Sequence, residues 1–366
     1  MKKPTLSWDI GTAYDFFISL TILHEPANFG LRAAWAAGMR SRLPAPERET
    51  LETLISTVLF GPPSRWIYYD VPAPKDATAV LHHLAALPAD ERLFTLTDGP
   101  LKPPPVRDAL RAIITDGAWS EEHYDAYRAY LAEKKERTPR RDDIQAILDV
   151  WAEAGRYGDL LLDGLRAFHD VFFAEEERRI EPVLHDGLTR AQALAETLTI
   201  SELIEELSQG VSVEPDVDGI VFVPTFWSSP FIWLEQLEES RQIICFGARP
   251  PDASLVPGEA VPDVLVRSLK ALSDPTRLRI LHYLTGDPLT PTQLAQRLRL
   301  RPPTVVHHLK VLRIAGLVRI RISEGKEKAY AVRSETVDLT FDILRSFIQH
   351  GGAELVGSED FALEEA

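Results

Sequence analysis

In the stretch PTVVHHLKVLRIAG, Val305, Leu309 and Leu312 fall at i, i+4 and i+7, the spacing of one buried helix stripe. Thr304, Val306, His307, Lys310 and Arg313 are left on the outward side. A helix of this kind fits the major groove of DNA. There, long cations reach guanine edges, hydroxyls reach either base of a pair, and an apolar side chain meets the thymine methyl. Arg277 upstream, and Arg321, Lys326 and Lys328 downstream, are placed to meet phosphates. No chemistry of bond making is needed for such a set, and no catalytic residue is assigned.

The charge distribution supports a polyanion partner. Between Pro262 and Ser334 there are 14 Lys and Arg against 5 Asp and Glu, a balance of +9. The rest of the chain carries 26 against 50, a balance of -24, and the whole 366 residues carry -15. A basic module on an acidic body is the electrostatic footprint of a nucleic-acid binder.

The elements that must position these residues announce themselves locally. In ALSDPTRLRILHYL, Asp274 can cap a helix whose first residue is Pro275, with Leu278, Leu281 and Leu284 expected to face inward. Thr290, Pro291 and Gln293 form a capping box for a second helix with Leu294, Ala295 and Leu298 inside. The third helix is the one that carries Lys310, stopped at Gly316. Then LVRIRISEGKEKAYAV alternates, Arg319 and Arg321 opposite Ile320 and Ile322, and turns at Gly325, which predicts a β-hairpin. Helix, turn, helix and hairpin together make a winged helix-turn-helix.

With those residues in view, the segment from about Val264 to Gly351 resembles the arsenic-repressor-like (ArsR) family of bacterial transcription factors. The Asp-Pro-Thr-Arg start, the HHLKVLRIAGLV helix and the GKEKAYAV wing carry the resemblance. It implies a homodimeric repressor of double-stranded DNA that an effector releases. The family often has a serine and a glutamine near the start of the reading helix. This chain has Val306 and Pro302 there, so Val306 could touch a thymine methyl instead. The metal sensors of the family use a cysteine pair in the second helix or Asp and His ligands in the last one. TPTQLAQRL has no cysteine, and Asp338, Asp342 and His350 lack the paired spacing, so no metal and no cofactor is expected. The last helix, around Val337 to Ile348, has an apolar stripe with Leu339, Ile343 and Phe347. With the segment before Ser273 it is the expected dimer interface, or else it packs on the first domain.

The fold class expected is mainly α with small β elements. Residues 1–250 are read as a helical sensing or dimerisation domain ending in short strands at about 219–248, 251–262 as a linker, 263–351 as the winged helix-turn-helix and 352–366 as an acidic tail. Helices are expected at Thr12 to Leu23, Asn28 to Arg40, Glu47 to Leu59, Ser120 to Lys135, Arg141 to Ala154 and Tyr157 to Arg179. The segments GIVFVPTF, SPFIWL and RQIICFGA read as a small sheet or hairpin pair.

Other chemistry finds little footing. There is no Gly-rich phosphate loop, no His-Glu-x-x-His and no Gly-x-Ser-x-Gly. Cys245, the one cysteine, reads as a small hydrophobe and rules out an internal disulfide. His169, Glu175 to Glu177, Glu181 and His185 read as a solvated acidic face rather than a metal site. Phe226, Trp227, Phe231 and Trp233 are either a core corner or a site for an apolar small-molecule effector. The N-terminus MKKPTLSWDIGTAYDFF is not a signal peptide and no apolar run would span a bilayer, so a cytoplasmic protein with no membrane partner is expected. Two other readings compete with a DNA-binding regulator. One is an enzyme domain fused to a winged helix; the other is a winged helix used for protein interaction.

Overall fold

The computed structural model describes residues 4–59, 61–98, 102–133, 140–208, 211–212, 216–229, 231–250, 253–256, 261–322 and 328–350. The expected acidic tail at 352–366, the hairpin tip with Gly325 and Lys326, and part of the expected linker lie outside these. The chain forms two compact units, Met1–Ser208 with Glu214–Arg249, and Gln209–Val213 with Pro250–Ala366.

The first unit opens on a strand, β1 (Thr5–Trp8), that the sequence reading did not anticipate. Next come α1 (Thr12–His24), α2 (Pro26–Phe29), α3 (Ala33–Arg40), α4 (Ala45–Thr57), α5 (Ser64–Asp70), α6 (Ala77–Ala86) and α7 (Ala89–Thr97). They are followed by α8 (Pro104–Asp116), α9 (Glu121–Glu133), α10 (Arg141–Ala152), α11 (Ala154–Phe168), α12 (Ala174–Ala195) and α13 (Ile200–Leu207). Gly30, in the left-handed conformation that glycine adopts cheaply, ends α2 and splits the helix expected over Asn28 to Arg40. A single wide π turn, His169–Phe173, joins α11 to α12 and carries Phe172 and Phe173 into the core.

Of the strands in this unit beyond β1, β3 (Gly219–Thr225) and β5 (Arg241–Gly247) pair in parallel, and β4 (Trp233–Glu238) closes the edge antiparallel to β5. With β1 parallel to β3 the order is β1-β3-β5-β4. This is a mostly parallel sheet, not a pair of hairpins. Its central strand is buried along its whole length, which is why GIVFVPT reads as a continuous apolar run. Ala191, Leu203 and Ile204 of α12 and α13 pack on Ile220, Phe222, Ile244 and Phe246. Helix α1 is buried on every side from Thr12 to Leu23, its residues mostly apolar, with Asp15 among the buried polar exceptions.

The second unit holds β2 (Val211–Ser212), α14 (Asp263–Leu272), α15 (Pro275–Tyr283), α16 (Pro291–Leu298), α17 (Pro302–Ile314), β6 (Val318–Ile322), β7 (Lys328–Val332) and α18 (Ser334–His350). β6 and β7 form the expected antiparallel hairpin, Val318 opposite Val332 and Ile322 opposite Lys328. Leu289 bridges to Tyr330 on one side of it, and β2 adds in parallel to β6 on the other. The core joins Ile280, Leu284, Leu294, Leu298, Val305, Leu309 and Leu312. One sequence expectation is corrected here: Leu278 is 48 % exposed, and Ile280 takes its place inside with Leu281 and Leu284. At about 100° per residue, positions i and i+6 lie roughly 120° apart around the axis, whereas Ile280 and Leu284, four apart, share a face.

Candidate nucleic-acid interface

The helix-turn-helix is built by its caps. The Asp274 carboxylate accepts the Arg277 backbone N–H at 2.9 Å and opens α15. That bond, with the neighbouring Arg277 and His308, holds the carboxyl below the usual range. At α16, the Gln293 N–H donates to Thr290 Oγ1 at 3.3 Å and the Thr290 N–H to Gln293 Oε1 at 2.8 Å, the reciprocal pair read from the sequence. Helix α16 ends at Arg299, which adopts the left-handed conformation with φ 56°. The chain then turns through Leu300 and Arg301 into α17, whose first two residues are prolines.

Helix α17 presents the residues proposed to read DNA much as its spacing implies. Val305, Leu309 and Leu312 are buried, and Thr304, Val306, His307 and Lys310 are exposed, Val306 by 50 %. An apolar side chain half open to solvent on a helix of this polarity is not explained by the unit's own core. Arg313 differs: it is half-buried against β7, beside Tyr330, and desolvation pulls its pKa down without discharging it. His308, between the outward residues, turns toward the cap of α15, its Nδ1 3.9 Å from Asp274.

On the wing, Arg321 and Lys328 are exposed where the hairpin leaves the core, and Arg319 is half-buried. Lys326 lies outside the described residues. Arg277 is also occupied: its guanidinium donates to two backbone carbonyls of α14. Sequence reasoning passed over Arg279, Arg297, Arg299 and Arg301, all exposed, the last two in the turn that leads into α17. The alternating run RLRLR ahead of the prolines was the available signal.

Elsewhere, Phe226 and Trp227 are fully buried. Their backbone N–H groups donate to Asp15 at 2.9 and 2.8 Å, and Trp227 Nε1 donates to Glu176 at 2.8 Å. Phe231 packs edge-on against Phe29, and Trp233 stacks on Phe29 and lines a cleft. The four aromatics therefore do not make one site. Cys245 is buried and its thiol is pushed up by desolvation. Among the described residues, no group of three or more His, Cys, Asp and Glu is placed to hold a metal ion. Among them, too, no helix is long and apolar enough to cross a membrane.

Residues 272–321 match the helix-turn-helix domain family. Over 86 residues the chain is 29 % identical to the transcriptional repressor SdpR of Bacillus subtilis, covering 24 % of this chain and 94 % of that protein. Over 70 residues it is 37 % identical to the arsenical resistance operon repressor of Staphylococcus xylosus, covering 19 % and 66 %. Over 69 residues it is 36 % identical to the HTH-type transcriptional regulator MJ1325 of Methanocaldococcus jannaschii, covering 19 % and 76 %. The chain belongs to the ArsR-like family of helix-turn-helix transcriptional regulators. It is thus a DNA-binding protein of transcription regulation, and the family signature resides in its second unit. The matches to these relatives cover 19–24 % of this chain.

Proposed function

We infer that the protein is a repressor that binds a palindromic operator as a homodimer and is released by a non-metal small molecule acting on its N-terminal part. The observation that carries the DNA half of this reading is the exposed α17 row Thr304, Val306, His307 and Lys310. The contact set comprises this row with Arg277, Arg313, Arg321, Lys326 and Lys328, the residues expected from the sequence, and with Arg299 and Arg301 of the turn before α17. A polar and cationic helix face with an apolar Val306 suits base edges better than another protein.

Dimerisation is supported by α18, where Phe341 and Ile348, seven residues apart, are 49 % and 70 % exposed. Leu269 of α14 and Leu339 are exposed as well. Apolar side chains recurring at this spacing on a terminal helix are best accounted for by a two-fold partner. A two-fold protein expects half-sites about one turn, roughly 10 bp, apart. In this reading residues 1–250 sense, 251–262 link and 263–351 bind DNA, in the cytoplasm and without catalysis.

Selection of bound duplexes from a random pool tests it. Enrichment of an inverted repeat is the expected outcome. Recovery of no enriched motif, with binding indifferent to sequence, would reject it.

A further inference from the structure

The first unit holds a cleft of about 560 Å³ bordered by α4, α5, α7 to α10 and β4. It lies in the range of about 300–1,000 Å³ in which proteins hold small molecules. Among the described residues, four rings line it: Tyr127, Tyr130, Trp151 and Trp233.

The rings are held in place before any ligand arrives. Trp233 is stacked on Phe29 at 5.8 Å and 21°. It also stands close to Gly61, where a Cβ would come within 2.8 Å of the indole, at a φ of 151°. Any other residue at 61 would push the indole off its seat. Tyr127 and Tyr130 meet edge-on at 6.0 Å, and Trp151 is buried against Phe94. Pre-set walls spare a ligand the ordering cost of binding.

Among the described residues, the two charged side chains of the lining are both committed to the protein. Lys102 donates to the Thr97 carbonyl at 2.9 Å and stands 5.9 Å from the Trp151 ring. Glu235 accepts the Ser64 N–H at 2.9 Å, at the start of α5. Burial raises the Glu235 carboxyl above its ordinary range, so the site does not favour a second buried charge.

We propose that this cleft binds an uncharged, planar aromatic molecule of about two to three rings, seated between Trp233 and the Tyr127–Tyr130–Trp151 wall. The inference rests on the ligand-control reading above and gives it a place and a chemical class, one that departs from the Phe226–Trp227 corner.

The test uses the full chain without DNA and the neutral fluorophore N-phenyl-1-naphthylamine. Its emission should rise saturably at micromolar concentration, with one molecule bound per chain and energy transfer from tryptophan. Tyr130→Ala, which removes a half-exposed ring, should weaken binding at least tenfold. Leu131→Trp, which fills the rim, should do the same, with circular dichroism unchanged in both. Naphthalene-1-sulfonate and 1-naphthylmethylammonium should compete at least tenfold more weakly than naphthalene. The proposal is overturned by the absence of saturable binding in a folded chain, by equal affinity in both variants, or by tighter binding of either charged competitor. Binding that leaves operator affinity unchanged would instead overturn ligand control and leave the cleft's specificity standing.

Discussion

Arg277 Nε donates to the carbonyl oxygen of Ala271 at 2.7 Å, across the junction between α14 and α15. Arg277 Nη2 reaches the Lys270 carbonyl at 2.8 Å, so one side chain satisfies two of the carbonyls that the end of α14 leaves without helix partners. Its own N–H is meanwhile accepted by Asp274. The arginine that introduced itself as a phosphate ligand is thus also a clasp between two helices.

Arg277→Ala should therefore cost stability, about 1–2 kcal/mol for two lost hydrogen bonds from a charged group in a half-buried site. Arg277→Lys should recover only part of it, because an ammonium cannot reproduce the fork. Urea unfolding checks the loss. Operator titration at several salt concentrations separates the roles. A clasp leaves the salt slope unchanged, whereas a phosphate contact lowers it by about one.

The exposed residues of α17 should divide from those of the wing. Lys310→Ala and His307→Ala are expected to cost about 1–3 kcal/mol on the operator and less on a scrambled duplex. Arg321→Ala, Lys328→Ala and Arg301→Ala are expected to weaken both duplexes equally and lower the salt slope. Anisotropy titrations of each variant on both duplexes decide. Equal losses for Lys310→Ala would remove α17 from base reading.

Phe341→Glu and Ile348→Glu should shift the protein toward monomer. A charge placed in an apolar interface must be desolvated without a partner, which costs several kcal/mol. Sedimentation velocity at micromolar concentration reads the change. A wild-type chain that is already monomeric, alone and on DNA, would contradict the two-fold reading.

Asp15 is buried and carries a pKa raised to about 7, first by desolvation and also by the nearby Glu176. The two backbone N–H bonds and Arg179 pull the other way. An acid whose folded pKa lies above its unfolded value binds more protons when folded. Its contribution is therefore most favourable below about pH 4 and falls as pH rises toward 7. The stability of wild type relative to Asp15→Asn, taken from urea unfolding at pH 5, 6, 7 and 8, should decline up to about pH 7. A flat or rising difference would show that Asp15 stays charged throughout.

What the sequence determined by itself was local. Asp274 before Pro275, Thr290 three residues before Gln293, and the alternation from Val318 to Ile322 each act within one turn or one strand pair. Cap and hairpin chemistry needs no knowledge of the rest of the chain. The winged module was legible because nearly all of its decisive contacts are of this kind. Leu278 failed because, six residues before Leu284, it stands too far round the helix to share that face, and Arg313 because the wing that half-buries it arrives only after the hairpin folds back.

The first unit yielded less because its order comes from distant pairs. Thr5 to Trp8 is a strand only because Gly219 to Phe222 lies alongside it, more than two hundred residues away. Nothing in TLSW by itself marks it as a strand. Trp227 and Trp233 look alike in sequence. One is closed into the core by Asp15 and Glu176, the other held at a cleft by Gly61 and Phe29. Whether an aromatic ring becomes core or binding wall depends on which remote backbone approaches it, and only the tertiary structure brings that backbone near.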